Sequence, residues 1–190
     1  LTASTGIDAM VHAIEAFTSI NSNNNPVSKM LSIEALKLLG SSIKTAVFDG
    51  DNINARSNML LGSMLAGKAF ANSPVAAVHA LAYPIGGLFN ISHGLSNSLV
   101  LPSVMKFNSK NEETKKNYAH LAPYVFKNLE KFNPAKDEIA FEIELVKSVE
   151  VNIDYILMLV AKMHESQSKD KSIEIQMAIE SSPGLRNKKD

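Results

Sequence analysis

The sequence predicts an all-α protein. Apolar residues recur every three or four positions along most of its length. No long stretch alternates apolar and polar residues, and no strand–glycine–helix unit stands out. Clusters of turn formers separate the periodic stretches: INSNNNP at 20–26 and FDGDN at 48–52.

The first helix is expected over Thr5 to Ser19, capped by Ser4 or Thr5. Met10, Ile14 and Phe17 form its apolar stripe, and Asp8, His12 and Glu15 lie on a more polar face. A second helix is expected from Val27 to about Ala46, with Met30, Leu31, Ile33, Leu36 and Leu38 among its apolar positions. A third covers about Ile53 to Asn72. Its small residues Gly62, Ser63, Ala66, Gly67, Ala69 and Ala71 point to close helix approach, which offsets the propensity cost of glycine.

Residues 75–82 form an Ala/Val-rich helical segment containing His79, which the PIGG sequence bends or ends. Helix resumes near His93 or Gly94 and reaches about Phe107, disturbed at Pro102. The rest reads as helices at about 112–131, 136–149, 152–167 and 170–181.

The 190 residues suffice for one substantial core and are treated as one helical domain, 1–190. Nineteen basic residues balance nineteen acidic ones, so no global field attracts nucleic acid or anionic lipid. Five of each sign fall in residues 1–100 and fourteen of each in 101–190, so the first half reads as core-rich and the second as mainly solvated helices. Cysteine is absent, which excludes a disulfide scaffold and a thiolate metal site and is compatible with a cytoplasmic protein. No run has the length of a membrane span, and LTASTG does not form a signal peptide.

Four side chains carry the chemistry. Asp8 and His12 are four residues apart, so on a helix they share a face about one turn apart. His79 and His93 bracket HALAYPIGGLFNISH, fourteen residues apart. A single histidine in a helix is more often a packed core or surface residue than a ligand. One carboxylate and three imidazoles that converge suit a divalent first-row metal such as Fe(II) or Zn(II). His120 and His164 lack such companions and stay outside the site. A fully coordinated structural metal is the non-catalytic alternative.

The segments TASTGIDAMVHAIEAFTS, INARSNMLLGSMLAGKAFANSPVAAVHALAYPIGG and NISHGLSNSLVLP resemble the iron-containing alcohol dehydrogenase family, over about residues 2–122. The resemblance implies the helical C-terminal domain of the dehydroquinate synthase-like, iron-containing alcohol dehydrogenase fold. It implies Asp8, His12, His79 and His93 as the metal ligands. It also implies a separate N-terminal nucleotide-binding domain, absent from these residues, that holds NAD or NADP. Gly86-Gly87 is too short to replace the glycine-rich turn that a pyrophosphate requires, and Gly6 serves helix capping as readily as close approach to a ligand.

Two departures accompany the resemblance. Tyr83 stands where many relatives carry a further histidine, four residues after the first of the middle motif. It is a candidate catalytic or cleft-lining residue, though an ordinary phenol is a poor general base. The tail also lacks the Asn-Pro-Arg segment common in relatives.

The implied activity is NAD(P)-linked interconversion of a small alcohol and an aldehyde or ketone by hydride transfer across an interdomain cleft. A hydroxyacid–oxoacid transhydrogenase or a 4-hydroxybutyrate dehydrogenase-like enzyme is one alternative, with a hydroxyacid as substrate. An inactive helical metal-binding or interaction domain is another. The partners implied are the small-molecule substrate and the nucleotide-binding domain, with neither nucleic acid nor membrane. A homo-oligomer stays open.

Overall fold

The computed structural model describes residues 1–74 and 76–125. The helices expected at 136–149, 152–167 and 170–181, the end of that at 112–131, and His164 lie outside the described residues. Among the described residues the chain is all-α: α1 Thr2–Thr18, α2 Pro26–Phe48, α3 Ile53–Asn72, α4 Ala77–Phe89, α5 His93–Asn108 and α6 Glu112–Val125. No helix among them is long and apolar enough to cross a membrane.

Local sequence explains most boundaries. α1 begins earlier than expected, with neither Ser4 nor Thr5 as its cap. Thr5 Oγ1 donates to the Leu1 carbonyl at 3.2 Å, and Ser4 is buried inside the helix. At the other end Asn24 Nδ2 donates to the carbonyls of Phe17 and Ser19, occupying acceptors that the last turn leaves free. α2 opens on a reciprocal cap. Asn25 Oδ1 accepts from the backbone of Val27 and Ser28, while Ser28 Oγ accepts from the Asn25 backbone. Pro26 then takes the first helical position, where a missing N–H costs nothing. Asn52 caps α3 through the Ala55 amide.

α4 departs from expectation at PIGG. The helix neither stops nor breaks there but runs through Pro84, Gly86 and Gly87 to Phe89. Ala80, whose carbonyl the proline leaves without a helical partner, and Pro84 both lie on the exposed side. Termination comes at Asn90 instead, with φ of 52°, a left-handed cap that asparagine tolerates. α5 likewise continues past Pro102.

α1 is the central helix and packs against α2, α3, α5 and α6. One side, Ala3, Ile7 and Val11, joins Ile43, Val78, Leu101 and Val104. Another, Ala9, Ala13 and Phe17, joins Ala35, Leu36, Leu39, Ala66 and Leu121. Burial of both sides is the main source of order for this helix, whose own termini are weakly capped. Of the expected stripe, Phe17 is core while Met10 and Ile14 pack at its margin. In α2, Leu36 is core, but Leu39 and Ile43 replace Met30, which is exposed.

Close helix approach holds for part of the small-residue set. A Cβ on Gly62 would meet Leu39 at 2.7 Å, and Ala66 and Ala69 are buried. Ser63, Gly67 and Ala71 face outward. Gly6 is a packing residue inside α1 rather than a cap, since a Cβ there would meet Met59 and Ile43. The tightest contact is between α1 and α5. A Cβ on Gly94 would run into the Ser4 carbonyl oxygen. Only glycine lets the start of α5 settle this close to α1.

Candidate metal centre

The two apolar sides of α1 leave a third sector, carrying Asp8, His12 and Glu15 at helical spacing. His79 from the first turn of α4 and His93, the first residue of α5, meet that sector. Asp8 Oδ1 lies 3.4 Å from His79 Nε2, 3.4 Å from His93 Nε2 and 3.7 Å from His12 Nδ1. The rings of His12 and His79 are 4.2 Å apart between centroids, and those of His79 and His93 5.4 Å.

The convergence is graded. Asp8, His12 and His79 offer ligand atoms all within 4.8 Å of one another. His93 touches Asp8 but falls outside that tightest set, and its side chain is 40% exposed. Tyr83 stacks on His93 at 5.3 Å and is 64% exposed, so it stands at the outer rim. His120 is distant in role, stacked on Phe17 and edge-on to Tyr124.

Hydrogen bonds orient the imidazoles. The Asp8 carbonyl only accepts, so His12 Nδ1 donates to it at 2.8 Å and the lone pair falls to Nε2. His79 Nδ1 lies 2.6 Å from Glu15 Oε2, which leaves Nε2 facing Asp8. At 3.4 Å that contact is one of opposite charges rather than an aligned hydrogen bond. His79 Nε2 is a fully buried nitrogen without a hydrogen-bond partner. Asn97 Nδ2 donates to Asp8 Oδ1 at 2.6 Å and lies 3.1 Å from His93 Nε2.

Two of these partners escaped the sequence reading. Spacing puts Glu15 on the polar face of α1, but it is buried, with 5% exposure. Asn97 was not singled out, and it is fully buried. Both were detectable in principle. Glu15 follows His12 by three residues and Asn97 follows His93 by four, the spacings that place side chains together on one helix face.

The charge pattern follows from this packing. Burial alone would lower the pKa of His79, but the Asp8 and Glu15 carboxylates outweigh it and raise the value to about 9. Burial would raise Asp8. The contacts with His79, His12 and His93 and the Asn97 amide hold it below its ordinary value. His12 is lowered, chiefly by burial. The pocket therefore favours a cation beside Asp8. An orphaned buried imidazole nitrogen, a carboxylate and a second imidazole form a donor set that fits a divalent first-row metal.

Residues 2–174 match the family model described as Fe-containing alcohol dehydrogenase family, C-terminal. The chain belongs to that family. The match continues beyond residue 122, where the sequence resemblance was expected to end, so the tail belongs to the family pattern more fully than its motifs indicate. The chain is 50% identical over 107 residues to long-chain-alcohol dehydrogenase 1 of Geobacillus thermodenitrificans, covering 56% of this chain and 27% of that protein. It is 44% identical over 108 residues to 1,3-propanediol dehydrogenase of Citrobacter freundii, covering 57% and 27%. The solved alcohol dehydrogenase from Oenococcus oeni superposes with a TM-score of 0.66 at 33% identity, covering 84% of this chain and 38% of that one. The chain thus spans about a quarter of the length of these curated relatives.

Proposed function

We propose that this chain is the metal-bearing part of an NAD(P)-dependent alcohol dehydrogenase, with Asp8, His12, His79 and His93 as the ligands. The observation that carries the reading is the buried His79 Nε2, without a hydrogen-bond partner and 3.4 Å from Asp8. A bound Fe(II), or alternatively Zn(II), would supply Lewis acidity toward an alcohol or carbonyl oxygen.

The chain's own residues supply the rest. Asp8 partly neutralises the cation and stands in contact distance of all three imidazoles. His79 and the packed start of α4 close the inner side against water. His93 and Tyr83 form the open side, where a small substrate enters. Tyr83 serves there as a lining or hydrogen-bonding residue. NAD or NADP binds mainly through a nucleotide-binding domain outside these residues.

Metal analysis and anomalous scattering from protein reconstituted with Fe(II) or Zn(II) test the ligand set. One ion among the four side chains is expected. A replete protein with no ion there overturns the reading. The activity is tested by assaying the Fe(II)-loaded full-length protein with both nicotinamides and a panel of short alcohols and hydroxyacids. Turnover that depends on free NAD(P)H separates a dehydrogenase from a transhydrogenase.

A further inference from the structure

Glu15 does two jobs at one point. The residue that precedes α4 at its N-cap is Ala76, which has no side chain able to cap it. Its orphan amides are served from another helix. Glu15 Oε1 accepts from the Val78 N–H at 2.7 Å, and Oε2 accepts from the Ala76 N–H at 3.1 Å. Oε2 also faces His79 Nδ1 at 2.6 Å. One buried carboxylate on α1 therefore sets both the position of the α4 N-terminus and the rotation of the imidazole in its first turn.

We infer that Glu15 is a positioning residue for the metal centre: it holds Nδ1 of His79 so that Nε2 is the nitrogen offered beside Asp8. The inference rests on the metal-site reading above. An anionic acceptor on Nδ1 fixes the tautomer, orients the ring and raises the basicity of the ligating nitrogen. The α4 cap and the ring meet at Glu15 Oε2, so the carboxylate that fixes the start of the helix also fixes the rotation of His79.

Glu15→Gln keeps the shape and removes one of the two acceptors. In either orientation Nδ1 loses its anionic partner, so the ligating nitrogen loses basicity. With the amide NH2 toward His79, the Ala76 N–H also loses its acceptor, Nδ1 must become the acceptor and the proton moves to Nε2, the position needed for metal; turned the other way, the Val78 N–H loses its acceptor. A second substitution separates these effects. Ala76→Ser gives α4 a cap of its own and should restore helix stability without restoring the His79 contact.

The test is chelator competition for Zn(II) on the full chain, together with the melting temperature of the metal-free protein. Glu15→Gln should weaken affinity by about 10- to 100-fold, the range typical of an outer partner of a ligating histidine. Glu15→Gln with Ala76→Ser should recover melting temperature but not affinity. In a His79→Ala background, Glu15→Gln should cost no further affinity. Unchanged affinity in Glu15→Gln, an affinity recovered by Ala76→Ser, or a loss that persists without His79 each overturns the inference and leaves the metal site standing. If the parent protein binds no Zn(II) or Fe(II), the metal-site reading itself fails, a separate result that takes the inference with it.

Discussion

Asn97 Nδ2 lies 2.6 Å from Asp8 Oδ1, joining α5 to α1 across 89 positions of sequence. The amide donates to the carboxylate from a fully buried position and sits 3.1 Å from His93 Nε2. It ties the outermost histidine to the central acid.

Replacing Asn97 with alanine leaves the half-buried Asp8 carboxylate short of a donor. The expected cost is about 1–3 kcal/mol in urea unfolding of the metal-free protein. Asn97→Asp should be worse, because it sets a second carboxylate against Asp8. Equal stability of the parent and both variants would show that the contact carries no weight.

Gly94→Ala tests the approach of α5 to α1. A Cβ against the Ser4 carbonyl cannot be accommodated without moving the helix. Overpacking of this kind costs about 1–3 kcal/mol. His93 neighbours Gly94, so the same substitution should also reduce Zn(II) affinity. A variant that melts and binds like the parent would mean that α5 shifts freely.

Metal loading should stabilise the fold. At a free metal concentration about 100 times Kd, the gain is about 2.7 kcal/mol, and chelation should remove it. Asp8→Asn should abolish the metal-dependent rise in melting temperature, and His79→Ala should reduce it strongly while leaving measurable binding. His93→Ala should diminish it less, because His93 stands outside the tightest three-residue set. The reverse ranking would place His93, not His79, at the heart of the site.

The metal-free protein should lose stability on the alkaline side. The folded pKa of His79, about 9, exceeds its ordinary value of 6.5. Its contribution is therefore fully present below pH 6.5 and disappears as pH rises to about 9. Asp8, lowered in the fold, contributes above its ordinary value of 3.8 and loses that contribution as pH falls. His12, lowered chiefly by burial, opposes His79 by favouring the neutral form. Melting temperatures of chelator-treated protein between pH 6 and 9.5 should fall, and His79→Ala should flatten the decline. A flat profile for the parent would contradict the charge pattern of the pocket.

Periodicity alone was enough for the all-α class and for the positions of α2, α3 and α5, because an amphipathic helix writes its own spacing into the chain. The four ligand-type residues were legible for the same reason, helped by surrounding motifs that resemble a known family. Pro84 misled because the Ala80 carbonyl that it leaves without a helical partner lies on the exposed side, where water can serve it, and exposure is not written locally.

Glu15 marks the deeper limit. Its spacing from Asp8 and His12 was visible in the sequence, but its environment was not. Helical spacing says which side chains share a face; it does not say what covers that face. Only the tertiary structure brought an uncapped helix start against α1, which turned a nominally solvent-facing glutamate into a buried acceptor for two amides and a histidine. Packing likewise drew His79 inward and left His93 at the rim, a distinction that two histidines fourteen residues apart could not express.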